Sequence, residues 1–233
     1  MDTTLYVKDC GKGIPLVMLH GNGESGDYFK NQTAFFSNRY RVIVPDTRGH
    51  GKSGRGSRPL CFKTFSDDLL FILDNAGIEK AHLLGFSDGA NTAITFALEH
   101  QERLLSLVLN GANLYPEGLT AACRLPITFQ YAFWSALCAF SCKAKRKKEL
   151  FSLMTNEPQI DPRSLGKLRI PSLVIAGTHD MIKRSHTELI ASSIPHARSV
   201  FIDGSHFVAR EKPEIFNRTV LEFFIMNQSS RSL

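Results

Sequence analysis

A chain of 233 residues, 43% hydrophobic and 21% charged, is long enough to bury a full core and too apolar to stay unfolded. Its formal net charge of +6 is concentrated in one run, where Lys143, Lys145, Arg146, Lys147 and Lys148 supply five of the six excess charges. The remainder is nearly neutral and carries no distributed basic face, which excludes nucleic acid as a partner.

In chain order, Leu5 to Val7 and Ile14 to Leu19 read as strands joined by a Gly11-Lys12-Gly13 turn, an antiparallel entry hairpin. Short apolar runs follow at Tyr40–Val44, His82–Gly85, Leu105–Leu109, Leu173–Ala176 and Ser199–Ile202. Near-continuous apolar runs suit strands covered on both faces, as in a parallel sheet. Helical spacing occupies Phe29–Ser37, Phe65–Asn75, Ala90–Glu99, Lys183–Ser193 and Pro213–Asn227. Thr64 or Ser66 is expected to cap the second of these, and Pro213 suits a first helical position. Alternating strand and helix predict an α/β fold with a mostly parallel sheet and helices on both faces. From Leu114 to Arg169 no strand intervenes. The expected division is therefore a core of residues 1–113 and 170–233 with a helical cap or lid over 114–169. Gln228 to Leu233 reads as a frayed tail.

The start of the chain lacks the basic and apolar regions of a secretory signal. Five cysteines without CxxC spacing read as free thiols, and the two features together predict a cytoplasmic protein. No metal site and no cofactor is expected, since Cys138 and Cys142 share a helix face but offer only two thiols.

Chemistry is carried by Gly85-Phe86-Ser87-Asp88-Gly89, a G-x-S-x-G sequence placed after a strand and before a helix. That is the setting of a nucleophile elbow, where a tight turn exposes the serine. A serine hydroxyl needs a base. Of eight histidines, His206 follows the last strand, where an open α/β sheet places its active groups. His20 reads as support for its own loop, His50, His100, His179, His186 and His196 as solvated or capping residues, and His82 as half-buried. Asp180 follows the strand before His206 and is the expected carboxylate, giving the order Ser, Asp, His. Asp203 is its rival and reads as a turn residue. The His20-Gly21-Asn22-Gly23 loop lets backbone N–H groups approach a substrate oxygen. The expected oxyanion donors are the amides of Asn22 and Asp88, with the Asp88 carboxylate stabilised as an anion by the helix dipole.

The set HGNGES, PDTRGHGKS, GFSDGAN, GTHD and GSHF resembles the α/β-hydrolase superfamily from Leu5 to about Phe224. It is most similar to small bacterial hydrolases with a short cap, described as esterases or lysophospholipase-like enzymes. The resemblance implies an α/β-hydrolase fold and a structural role for Asp46–Ser53, and it leaves the substrate open because the cap matches no subfamily.

Leu125 to Phe140 is the most aromatic stretch and holds the single Trp. At 16 residues it is short of the roughly 20 needed to span a membrane. It reads either as a cap helix packed on the core or as the wall of an acyl pocket, formed by Phe129, Phe133 and Trp134. The neighbouring basic run is a solvated helix face that also permits weak contact with an anionic lipid surface. The expectation is thus a serine hydrolase that cleaves a small-molecule carboxylic ester with an apolar acyl part, through an acyl-enzyme. A C–C bond hydrolase, amidase or acyltransferase on the same triad remains open, as does a non-catalytic receptor on this fold. No oligomeric state is implied.

Overall fold

The computed structural model describes residues 2–229. Seven strands form one sheet: β1 (Val7–Cys10), β2 (Ile14–Leu19), β3 (Tyr40–Pro45), β4 (Ala81–Phe86), β5 (Leu104–Asn110), β6 (Ser172–His179) and β7 (Arg198–Ser205). Their order is β1-β3-β2-β4-β5-β6-β7, with β1 antiparallel and every other pairing parallel.

The expected β1–β2 hairpin does not form. β1 pairs with β3, Val7 opposite Pro45, and β2 enters between β3 and β4. Burial explains the exchange. Leu16 to Leu19 are buried and suit an interior strand, whereas Lys8 and Asp9 are exposed and suit the edge.

Consecutive strand residues feed opposite cores. Val17, Ile43, Leu83, Leu107 and Val174 pack with α2 (Phe62–Asn75), α3 (Asp88–His100) and α6 (Arg184–Ser193). Leu16, Val42, Leu84, Val108 and Ile175 pack on the other face with α1 (Lys30–Phe36), α7 (Val208–Glu211) and α8 (Pro213–Ser229). This period of two, apolar on both faces, is why the strands lack polar alternation. Of the expected tail, α8 takes in Gln228 and Ser229, and the rest lies outside the described residues.

α2 begins earlier than its spacing suggested. Thr64 and Ser66 lie inside it, and the side chain of its N-cap residue, Cys61, meets the Thr64 hydroxyl at 3.2 Å but caps no backbone N–H. The Phe62 N–H donates instead to Glu157 Oε2, 3.1 Å away, a distant residue supplying what a local hydroxyl normally does.

Between β5 and β6 stand two helices, α4 (Ala121–Leu137) and α5 (Cys142–Asn156), packed on each other. α5 anchors the pair. Its Leu153 is buried with Phe62 and Phe65, the Leu150 carbonyl accepts from Asn22 Nδ2 at 2.8 Å, and Glu149 pairs with Arg55. No residue of α4 is buried. The ends of the segment belong to the core, since Leu114, Leu165 and Leu168 are fully buried there. Among the described residues no helix is long and apolar enough to cross a membrane.

Candidate active site

The loops at the carboxyl ends of β2, β4, β5, β6 and β7 converge, as the parallel arrangement requires. Ser87 follows β4 and caps α3 with φ 53° and ψ −120°, a left-handed conformation that a serine adopts only under constraint. The constraint is visible. The Ser87 N–H donates to the Asn110 carbonyl at 2.8 Å. A Cβ on Gly89 would stand 2.1 Å from the Leu19 carbonyl oxygen, so α3 could not approach β2 with a larger residue there.

Asp180 and His206 meet through strand register. His179 pairs with Ser205 across β6 and β7, which places the next residue of each strand side by side. His206 Nδ1 lies 2.6 Å from Asp180 Oδ1, and His206 Nε2 lies 3.0 Å from Ser87 Oγ. Asp180 is itself fixed, accepting from the N–H groups of Ile182 and Gly177. Both Asp180 and His206 are almost fully buried. Asp203 lies apart from this chain and accepts from Thr178 Oγ1 at 3.1 Å. A hydroxyl, an imidazole and a buried carboxylate so aligned can transfer a proton away from the oxygen while stabilising the imidazolium.

A cavity of about 320 Å³ opens beside Ser87. Asn22 and Asp88 line it, and neither backbone N–H has an acceptor among the described residues. Leu119, Met154, Met181, Ile182 and Phe207 form its apolar wall. Phe129, Phe133 and Trp134 are not in that wall, which corrects the pocket expected from the sequence. Phe129 is 70% exposed and Phe133 46%, while the Trp134 Nε1–H donates within α4 to Gln130. α5, carrying Met154, faces the site in place of α4. A second cleft, about 430 Å³, lies between the 49–60 loop and α5. It holds the Arg55–Glu149 pair and Arg146, which donates to the Gly49 carbonyl.

The Asp88 carboxyl corrects a second expectation. Burial, the largest effect, pushes it up to about 7, and the neighbouring Glu157 adds to this; the Asn22 amide and His206 offset part. Desolvation outweighs the helix dipole because the carboxyl is cut off from water. Glu24 and Glu157 also line the cavity and are likewise pushed up by burial. Sequence reading missed both, since nothing local marks a glutamate that tertiary packing will bury.

Three further histidines depart from expectation, and His20 does not. His20 Nε2 accepts from the Thr47 N–H at 3.0 Å and its Nδ1 sits 2.8 Å from the Gly21 carbonyl. It therefore ties the Asn22 loop to the loop after β3, as expected. His50, His186 and His82 are buried, not solvated or half-buried. His186 Nε2 accepts from the Leu114 N–H and His82 Nδ1 contacts Ser106 Oγ. Asp46 accepts from the N–H groups of Gly26 and Lys52, and fully buried Arg48 pairs with Asp68 and Asp2. These bonds brace the loop beneath the site.

A parallel α/β sheet with a strained serine at a strand–turn–helix junction defines the class of the α/β hydrolases. A family model described as the alpha/beta hydrolase fold matches residues 14–160, and the chain belongs to that family. It is 26% identical to a putative carbamate hydrolase, RutD, of Azorhizobium caulinodans, over 95% of both chains. It is 27% identical to the 2-hydroxy-6-oxo-6-phenylhexa-2,4-dienoate hydrolase of Burkholderia cepacia, over 94% of this chain and 90% of the relative. Among solved structures it is similar to Est816, an N-acyl homoserine lactone degrading enzyme. That match has a TM-score of 0.81 and 26% identity, over 95% of this chain and 97% of the other.

Proposed function

We propose that the protein is a serine hydrolase that cleaves a carboxylic ester through an acyl-enzyme, with Ser87 as nucleophile, His206 as base and Asp180 as its orienting acid. The observation that carries this reading is the continuous chain of contacts from Ser87 Oγ through His206 to Asp180 at the floor of a cavity. Ser87 Oγ attacks the carbonyl carbon as its proton passes to His206 Nε2. The imidazolium is held by Asp180, and the oxyanion rests on the Asn22 and Asp88 N–H groups. Collapse breaks the carbon–oxygen bond, and the alcohol leaves with the proton from His206. Water, deprotonated by the same imidazole, then releases the acid and restores Ser87. The wall from Leu119 to Phe207 receives an apolar part of the substrate, and within residues 114–169 the α4–α5 pair acts as the cap over it.

The charge of the cavity favours an ester over the reaction named for the Burkholderia relative, whose substrate is by name a carboxylate. Among the described residues three carboxyl side chains and no lysine or arginine line the space, so an anionic substrate meets acidic groups and no cation there. A fluorophosphonate should label Ser87, and Ser87→Ala should lower kcat on p-nitrophenyl esters by at least about 10³ with the fold intact. An adduct mapped to another serine, or amide, carbamate or diketone turnover exceeding that of every ester, would overturn the reading.

A further inference from the structure

The three cavity carboxyls come from separate parts of the chain. Glu24 lies in the loop after β2, Asp88 in the first turn of α3, and Glu157 just beyond α5. Asp88 is 9% exposed and its Oδ2 has no hydrogen-bond partner. Glu24 Oε2 is equally shielded and unpartnered. Glu157 Oε2 accepts from the Phe62 N–H. The positive or potentially positive groups that act on Glu24 and Asp88 among the described residues are His206 and Arg210. His206 is engaged by Ser87 and Asp180. Arg210 stands over the Phe207 ring, 4.7 Å from its centre, and does not line the cavity.

Asp88 is buried and the two glutamates are half-buried, and a carboxyl withdrawn from water without a paired cation is destabilising unless something answers it. No protein cation does so inside the cavity, which leaves the answer to the ligand. Resting on the ester-hydrolase reading, we propose that Asp88, Glu157 and Glu24 form a subsite for a substrate ammonium group. The substrate class is an amino ester, protonated on nitrogen, with the charge close to the scissile carbonyl. Proximity follows from sequence, because Asp88 directly follows Ser87 and shares its cavity. An ammonium offers three donors, enough to engage the Asp88 carboxyl and a glutamate together. The apolar wall opposite takes the rest of the molecule.

The test is a charge series of benzyl esters at pH 7: alanine (cationic), N-acetylalanine and propionate (neutral), and succinate monoester (anionic). Each kcat/KM is normalised to the ester's spontaneous alkaline hydrolysis, which removes the intrinsic activation by an amine. The alanine ester should lead the neutral pair by at least about tenfold, with succinate lowest. Glu157→Gln should cut the cationic-to-neutral ratio by a similar factor. On the unaltered enzyme, butylammonium should slow fluorophosphonate labelling of Ser87 and butyrate should not, a comparison that needs no variant to fold. Ester turnover without ammonium preference overturns the subsite and leaves the ester reading intact. No ester turnover, with butylammonium protection retained, removes the ester reading and keeps the subsite. Loss of both removes both.

Discussion

Gly111 offers the sharpest test of how tightly the site is built. It follows β5 with φ +64°, and a Cβ there would stand 2.6 Å from His206 Cε1 and 2.9 Å from Nδ1. Ordinary carbon contacts begin near 3.5 Å, so Gly111→Ala must drive the imidazole back by about 0.8 Å or more. The ring cannot give way freely, since Asp180 holds Nδ1 at 2.6 Å. The 3.0 Å approach of Nε2 to Ser87 Oγ would then open beyond about 3.2 Å, the limit for productive proton transfer. Displacements of this size reduce rates about 10²-fold. The left-handed backbone adds about 1 kcal/mol of strain, a fall in melting temperature of roughly 2–4 °C for a domain of this length. The Gly111 N–H bond to the Ile175 carbonyl at 2.9 Å survives the change, so the fold should persist. Steady-state kinetics on p-nitrophenyl acetate and the rate of fluorophosphonate labelling should fall together. If the variant melts as expected yet both rates stay within about threefold of the parent, the imidazole is not clamped as the geometry indicates.

Asp180→Asn should lower kcat by about 10⁴ through the wrong imidazole tautomer, whereas Asp203→Asn, changing a residue bonded to Thr178 and not to His206, should scarcely alter it; the reverse order in parallel kinetics would reassign the acid. Met154→Ala should weaken acyl-length selectivity, worth about fourfold in kcat/KM per buried methylene, and Phe133→Ala should leave it unchanged. A shift of preferred length in the Phe133 variant would restore α4 to the pocket. His20 is lowered by burial to about 4. Its folded pKa lies below the unfolded value near 6.5, so its contribution is complete above that pH and fades as pH falls toward 4. Between pH 7 and 5 this amounts to about 2 kcal/mol, and urea unfolding of His20→Gln should show a correspondingly smaller loss; equal losses in both proteins would show that His20 is not held neutral.

The sequence alone determined the alternation of strand and helix, the serine turn and the chain order of Ser87, Asp180 and His206. Each is written locally: apolar runs set the strands, and G-x-S-x-G between a strand and a helix carries its own geometry. The neighbourhood of Asp180 and His206 could be anticipated because both follow strands, although their contact depends on the β6–β7 register. Only the tertiary structure decided which apolar strand lies inside and which helix faces the site. β1 left its sequence neighbour for β3, and aromatic α4 stayed outside while α5 supplied Met154. Hydrophobicity says that a surface seeks a partner but not which one, since the attraction has no direction. The same holds for charge. Glu24, Asp88 and Glu157 are ordinary surface carboxylates in sequence, and become a partly buried set because loops at distant chain positions close over one cavity and exclude water that would have favoured their charged forms.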